Sequence, residues 1–215
     1  MNDYDLVIFD MDGTLLNGRG IFTIAKKLGF YDNLVRLFKL DGIEFYEKSI
    51  KIAKLSKGYS IKQYLEIFNT IPYNKNVEKL VSKLKEKNIT TAIATDSYQI
   101  LADDIKTRLN IDYAFANKLI TKDGIFTGDL ILNNKDFKKD SVTNRIYSIC
   151  KGFVLEKLCT DLNIDIKKTI AIGDGIVDTG MIKKAGLGVA INAPDAVLPH
   201  ADLIIEDMGE LIEYI

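Results

Sequence analysis

Two aspartates separated by one residue follow a short apolar run near the start of the chain. The run covers residues 6–9, and Asp10 and Asp12 come directly after it, ahead of Gly13 and Thr14. This order predicts a buried strand whose carboxyl end opens into a polar loop. Two carboxylates this close repel each other, and either a divalent cation or the pairing of a charged nucleophile with a protonated acid relieves that repulsion. An ordinary strand-to-turn exit explains the same residues, because Asp and Gly favour turns.

A second predicted strand, residues 90–94, ends in Thr95, Asp96 and Ser97. A hydroxyl at the carboxyl end of a strand can donate to a phosphate oxygen, and the N–H groups of a following helix extend such an anion site. The same residues could cap the helix predicted over 98–109. The two explanations are compatible, since an N-cap is also an anion site.

A third predicted strand, residues 169–172, also delivers acids at its carboxyl end. The residues that follow it are Gly173, Asp174, Gly175, Ile176, Val177 and Asp178. Lys151 precedes a helix predicted over 153–162, where a cation opposes the helix dipole. A lysine in that position indicates a phosphate or carboxylate within reach, although an exposed lysine is the alternative.

Together these strand ends predict a phosphoryl-transfer site that depends on Mg²⁺. Carboxylate oxygens suit Mg²⁺, which takes few protein carboxylates together with substrate phosphate. Threonine and lysine supply the hydrogen-bonding, positive half of such a site. The candidate residues are Asp10, Asp12, Thr95, Lys151, Asp174 and Asp178.

The elements that must position these residues alternate between strand and helix over most of the chain. This alternation predicts an α/β fold with a doubly wound parallel sheet. Residues 21–69 instead show helical spacing only, punctuated into three or four helices. We expect a core of residues 1–16 and 74–215 and a small helical cap of residues 17–73, acting either as a lid or as a purely stabilising subdomain. Lys122-Asp123-Gly124, between two alternating runs, predicts a hairpin.

Composition excludes several classes of function. The 215 residues carry a net charge of −1, so we expect neither nucleic acid nor a membrane surface as a partner. No apolar run reaches the roughly 20 residues of a spanning helix, and we expect a cytoplasmic protein. Cys150 and Cys159 lack metal-site spacing and are expected to be free thiols. His200, the one histidine, is expected at a surface or turn.

The motifs resemble those of the haloacid dehalogenase superfamily of phosphatases, in the right order and over the whole chain. They are Asp10 to Thr14, Thr95, Lys151 and Gly173 to Asp178. The closer resemblance is to its phosphoserine phosphatase group. The stretches similar to that group are residues 112–117, 122–124, 127–129, 151–152 and 183–187.

This resemblance implies a two-step mechanism. Asp10 attacks phosphorus and becomes an aspartyl-phosphate, while Asp12 protonates the leaving alkoxide and then activates water. Mg²⁺ would be held by Asp10, the backbone carbonyl of Asp12, and Asp174. The expected phosphate-binding residues are Thr95, Asp96 and Lys151, with Asp178, Gly173 and Gly175 supporting the site from behind.

The cap departs from the phosphoserine phosphatase pattern. That group has an acidic residue where this chain has Arg19, and a cap arginine where residues 46–54 offer lysines and an alanine. Arg19 would repel a substrate ammonium, so we predict that phosphoserine is a poor substrate. Arg19 with Lys51, or with Lys48 or Lys54, would suit a substrate with a second anionic group, although lysines on a solvated face are the alternative.

Two other functions stay open on the same fold. One is a non-catalytic phosphate-binding or regulatory module, disfavoured by the presence of both Asp10 and Asp12. The other is a phosphotransferase or phosphomutase, which passes the phosphoryl group to an acceptor other than water. The substrate is expected to be a small phosphomonoester, and the protein a monomer or homodimer.

Overall fold

A computed structural model of the chain describes residues 4–215. Its central layer is a seven-stranded sheet in the order β4-β3-β2-β1-β5-β6-β7. The strands are β1 (Leu6–Phe9), β2 (Thr90–Tyr98), β3 (Tyr113–Lys122), β4 (Ile125–Ile131), β5 (Thr169–Gly173), β6 (Leu187–Ile191) and β7 (Leu203–Ile205). Neighbouring strands are parallel except β3 and β4. The predicted parallel α/β sheet is confirmed.

Helices cover both faces of this sheet. The α-helices are α1 (Gly20–Leu28), α2 (Tyr31–Phe38), α3 (Phe45–Lys54), α4 (Ile61–Phe68), α5 (Val77–Glu86), α6 (Gln99–Leu109), α7 (Lys151–Leu162) and α8 (Thr179–Lys184). Val7 and Phe9 of β1 lie in the larger core with residues of α5 and α6. Leu6 and Ile8 lie in a second core with residues of α7. The strand is apolar throughout because its two faces are both buried.

The position of β1 explains why the candidate residues meet. β1 pairs with β2 on one side and with β5 on the other, in register at Phe9 with Ile93 and with Ile172. Strands β2 to β4 are added on one side of β1 and strands β5 to β7 on the other, so the strand order reverses at β1. Ligands of open α/β sheets bind outside the carboxyl ends of the strands at such a point. The loops after β1, β2 and β5 therefore share one edge.

The insertion after β1 contains four helices, α1 to α4, as its spacing predicts. The two linkers that join it to the core pair with each other, since the Asn17 N–H donates to the Pro72 carbonyl at 2.9 Å. The division at residues 17 and 73 remains a prediction. The insertion also contacts the β3–β4 hairpin, where the Gly58 N–H donates to the Phe126 carbonyl at 3.0 Å and the Phe126 N–H donates to Tyr59 at 2.9 Å.

Several elements differ in extent from the predictions. The strand predicted over 90–94 continues to Tyr98, and the two strand segments predicted within 112–121 form one continuous β3. The hairpin turn at Asp123 and Gly124 is confirmed, with both residues at positive φ. The C-terminal helix predicted from Met208 is a 3-10 helix. Within residues 4–215, no helix is both long and apolar enough to cross a membrane.

Candidate active site

The loop after β1 is held in shape by backbone and side-chain hydrogen bonds. The Asp10 N–H donates to the Ile172 carbonyl at 2.9 Å, which fixes the nucleophile candidate to β5. The Asn74 amide donates to the carbonyls of Gly13 and Thr14 at 2.7 and 2.8 Å. Sequence reasoning missed Asn74. Its one signal is its position, directly after the predicted cap, where the chain returns to this loop.

Lys151 is fully buried and contacts two carboxylates. Its Nζ lies in short ion pairs with Asp10 and Asp178, and the helix α7 begins at Lys151 itself. Burial lowers the pKa of Lys151, but the charges of Asp10 and Asp178 outweigh burial and raise it. The lysine is therefore charged, and the alternative of an exposed lysine is wrong.

Burial has the opposite effect on the two carboxyls. It raises the pKa of Asp10 well above its ordinary value, and Lys151 acts against that rise. Burial raises the pKa of Asp178 in the same way, again opposed by Lys151. The lysine therefore favours the ionised form of both acids, as a nucleophilic Asp10 requires.

Asp174 lies directly against the first loop. The Thr14 hydroxyl donates to Asp174 Oδ1 at 3.1 Å. A Cβ at Gly13, which has φ of +90°, would lie 2.3 Å from Asp174 Oδ2. Glycine is required there both for the left-handed backbone and for the approach of the carboxylate.

The acids form a cluster suited to a hard cation. Oxygen atoms of Asp10, Asp174 and Asp178 all lie within 4.8 Å of one another. Both oxygens of Asp178 accept hydrogen bonds from protein donors, Lys151 and the Gly175 N–H. Asp10 and Asp174 each use one oxygen in this way within residues 4–215. Carboxylate oxygens that accept no hydrogen bond from the protein are free to bind Mg²⁺. Asp10 and Asp174 therefore suit the ion better than Asp178 does.

Asp12 occupies a different environment from Asp10. Its carboxylate accepts a short hydrogen bond from the Gly20 N–H at the start of α1. Burial raises the pKa of Asp12 to about 6, the hydrogen bond from Gly20 lowers it, and the charge of Asp96 raises it further. A carboxyl with that pKa can both donate and accept a proton near neutral pH.

The residues after β2 divide into two groups by burial. Thr95 is fully buried, and its hydroxyl oxygen accepts from the Ser97 N–H at 3.2 Å, which leaves the hydroxyl proton available for a phosphate oxygen. Asp96 is exposed, and its carbonyl accepts from Asn117 at 2.8 Å. The alternative that these residues cap α6 is wrong, because the N-cap is Tyr98, whose side chain makes no capping hydrogen bond.

Gly173 and Gly175 bring Asp178 into the site. A Cβ at Gly173 would lie 2.4 Å from the Cβ of Asp178, so only glycine leaves room there. The Gly175 N–H donates to Asp178 Oδ2 at 2.8 Å. Asp178 in turn contacts Lys151, the phosphate-binding candidate, and its supporting role remains a prediction.

A cavity of about 140 Å³ lies between Asp12 and the helical insertion, and we call it the cap cavity. Its lining includes Lys48 and Ile52 of α3, whereas Arg19 and Lys51 are exposed and lie outside it. Ala53, the alanine of the departing segment, is fully buried in the core. Of the cap residues suggested by the sequence, Lys48 therefore lines the cavity, whereas Arg19 and Lys51 do not.

Four of the residues that line the cavity form one stripe along α3. Phe45, Lys48, Ser49 and Ile52 line it together, and their spacing of three, four and seven residues defines one face of α3. The apolar members of the stripe look like core residues in the sequence, so their exposure to a cavity was not visible there.

Comparison with known proteins decides the family. The model of the haloacid dehalogenase-like hydrolases matches residues 4–186. This chain belongs to that family. A phosphoserine phosphatase of Methanocaldococcus jannaschii is 33% identical over 98% of this chain and 97% of its own length. Another, from Campylobacter jejuni subsp. doylei, is 29% identical over 98% and 99%.

A solved structure shares the whole architecture. It is the phospho-aspartyl intermediate analogue of a phosphoserine phosphatase, with a TM-score of 0.82 and 31% identity over 99% of both chains. The resemblance to the phosphoserine phosphatase-like group of haloacid dehalogenase phosphatases is confirmed. The chain is accordingly a phosphoric monoester hydrolase. Haloacid dehalogenase phosphatases generally use Mg²⁺, and the acidic cluster described above is compatible with it.

Proposed function

We propose that this phosphatase hydrolyses a small phosphorylated metabolite through an aspartyl-phosphate on Asp10. The observation that carries the proposal is the contrast between two neighbouring carboxyls. Asp10 contacts the charged Lys151, while Asp12, with a pKa of about 6, contacts the N–H of Gly20. One group is thereby suited to attack and the other to proton transfer.

In the first step an Asp10 oxygen attacks phosphorus, and the bond between phosphorus and the leaving oxygen breaks. Protonated Asp12 gives its proton to the leaving alkoxide, so the alcohol departs neutral. The Thr95 hydroxyl and Lys151 bind phosphoryl oxygens. Asp96 can contribute only its backbone N–H, because its carboxylate would repel the phosphate.

In the second step ionised Asp12 accepts a proton from water as the water oxygen attacks phosphorus. The bond from phosphorus to Asp10 breaks, which restores the carboxylate and yields inorganic phosphate. Asp178 holds Lys151 in place through both steps.

Asp10, Asp174 and the backbone carbonyl of Asp12 would hold Mg²⁺. When bound, the ion would neutralise charge on the phosphoryl oxygens and on the acidic cluster. The family resemblance is the basis for including the Asp12 carbonyl. Asp10 and Asp174 are supported by their proximity in the acidic cluster.

Phosphate release from a panel of phosphomonoesters with Mg²⁺ tests the proposal. The panel contains phosphoserine, phosphoglycolate, 3-phosphoglycerate, sugar phosphates and nucleotides. We expect turnover of a subset, loss of at least 10³-fold in Asp10→Asn, and unchanged rates in Asp123→Asn, whose exposed side chain lies at the hairpin turn. Transfer to an added alcohol in preference to water would indicate a phosphotransferase. Mg²⁺ binding without any turnover would indicate a binding module.

The relatives named above are phosphoserine phosphatases. We propose that phosphoserine is nevertheless a poor substrate of this protein. The sequence argument for this depends on Arg19 and the cap lysines. Arg19 is exposed and outside the cap cavity, and Lys48 is the cap lysine that lines it. The mainly apolar surface of the cap cavity supports the proposal better than repulsion by Arg19 does. A cytoplasmic location and a monomeric or homodimeric state remain predictions.

A further inference from the structure

Apolar atoms make up most of the surface of the cap cavity, although three serines, Ser49, Ser97 and Ser148, also line it. The side chains that give it this character are Ile21, Phe38, Phe45, Ile52, Tyr98 and Tyr147. They come from both sides, because α1, α2 and α3 supply the first four and the core supplies the two tyrosines. The rings of Phe45 and Tyr147 lie 5.0 Å apart between centroids, so the aromatic surface is continuous across the junction of cap and core.

The charged groups of the cavity are concentrated at the core side. Asp12 and Asp96 line it there, next to the reacting centre. The cap contributes Lys48, whose Nζ already donates to the Phe38 carbonyl at 3.1 Å and lies 5.6 Å from the Phe45 ring centroid. The Lys48 ammonium group is thus already bound to groups of the cavity wall.

A phosphorylated amino acid would fit this arrangement poorly. Its carboxylate and ammonium would both leave water, and each needs an opposite charge or several hydrogen bonds in compensation. The far wall offers mainly hydrocarbon and ring surface, which stabilises an apolar group by removing it from water.

We propose that the preferred substrate is a phosphomonoester of an apolar, aromatic-bearing primary alcohol, whose body packs between Phe45, Ile52 and Tyr147. This inference rests on the proposed function, since the phosphate must face Asp10 for the alcohol to reach the cavity. The cap therefore selects substrates by hydrocarbon surface rather than by charge pairing.

Three esters of primary alcohols test the inference with Mg²⁺: 2-phenylethyl phosphate, ethyl phosphate and phosphoserine. Each methylene-sized apolar contact is worth about 10- to 200-fold in kcat/KM. We expect 2-phenylethyl phosphate to exceed both others by at least about 100-fold. If ethyl phosphate or phosphoserine is hydrolysed equally well or better, the proposed function stands and this inference is wrong. If a folded protein hydrolyses none of a broad panel of esters, both are wrong.

Two matched variants of α3 assign the effect to the cavity wall. In Ile52→Ala we expect the ratio of kcat/KM between 2-phenylethyl phosphate and ethyl phosphate to fall about tenfold, mainly through KM. Ile50→Ala removes the same atoms from the same helix at a position outside the cavity lining, and should leave that ratio within twofold. An equal change of the ratio in both variants would contradict the inference.

Discussion

At the scale of single residues, the site depends on one buried cation between two buried acids. Lys151 is fully buried against Asp10 and Asp178, at the end of a strand-rich core where water cannot screen the charges. Such a pair is costly to bury and costly to break, because removal of one partner leaves an uncompensated charge. Stability and function therefore depend on the same contacts.

Lys151→Met should destabilise the protein in a pH-dependent way. Without the cation, the pKa values of Asp10 and Asp178 rise further above their unfolded values. The folded state then binds more protons than the unfolded state, so stability falls as pH rises. We expect a loss of about 3–5 kcal/mol at pH 8 and a smaller loss at pH 5, measured by urea unfolding with EDTA.

Lys157→Met provides the control for that comparison. Lys157 lies on the same helix but is exposed, paired with Asp161 on the surface. Such pairs contribute about 0–1 kcal/mol. Equal losses in the two lysine variants, or a larger loss for Lys151→Met at pH 5 than at pH 8, would contradict the account.

The pKa of Asp12 predicts how activity depends on pH and leaving group. Asp12 must be protonated to release a poor leaving group, so kcat/KM for an alkyl phosphate should fall as pH rises above about 6. Substrate phosphate titrates in the same range, but this contribution is common to wild type and Asp12→Asn. The difference between their profiles therefore reports Asp12.

Asp12→Asn should also discriminate between esters. We expect a loss of about 10²–10⁴-fold in kcat/KM for an alkyl phosphate and a much smaller loss for p-nitrophenyl phosphate, which needs no proton to leave. Equal losses with the two esters would show that Asp12 acts in some way other than as the acid.

At the scale of elements, the hairpin β3–β4 supports the cap. Gly128 of β4, with φ of +88°, packs under the end of α3, and a Cβ there would lie 3.2 Å from the Lys57 Cβ and 3.3 Å from the Lys54 Cα. Gly124, at φ of +76°, has open space around it. Both glycines have a left-handed backbone conformation, but only Gly128 has close neighbours.

This difference predicts unequal effects of alanine. Both Gly124→Ala and Gly128→Ala should lose about 1–2 kcal/mol from the left-handed backbone. Gly128→Ala should lose about 1–3 kcal/mol more, because α3 must move, and its KM should rise as the cap cavity is disturbed. Denaturant unfolding and initial rates measure the two effects. Identical stability in the two variants would mean that the hairpin does not support α3.

The elements show clearly what the sequence could predict. The apolar runs that end in acids located β1 and β5, since period and turn residues are local signals. The choice of Lys51, whose neighbour Ile52 lines the cavity instead, and the omission of Asn74 arise from tertiary placement. Whether an apolar residue of α3 faces the core or a cavity depends on how the insertion lies over the sheet, and no local pattern reports that. For Lys151 the position at a helix start did indicate a nearby carboxylate or phosphate, but its two partners, Asp10 and Asp178, come from distant parts of the chain.

At the scale of the whole molecule, ligand binding at the acidic cluster should stabilise the fold. Mg²⁺ at 100 times its Kd adds about 2.7 kcal/mol, which corresponds to an increase in Tm of about 5–10 °C for a chain of this size. We expect this increase in wild type and in Asp123→Asn, and its loss in Asp174→Asn. Differential scanning fluorimetry measures these changes in Tm. A full increase in Tm in Asp174→Asn would show that the ion binds elsewhere.

The central claim is that Asp10 carries the phosphoryl group, and chemical trapping tests it most directly. The protein is mixed with a substrate found in the panel, quenched within one turnover and reduced with borohydride, which converts an aspartyl-phosphate to homoserine. Peptide mass spectrometry should find homoserine at position 10 in wild type and not in Asp10→Asn. Rapid hydrolysis with an unmodified Asp10, or with the modification at another carboxyl, would contradict the account.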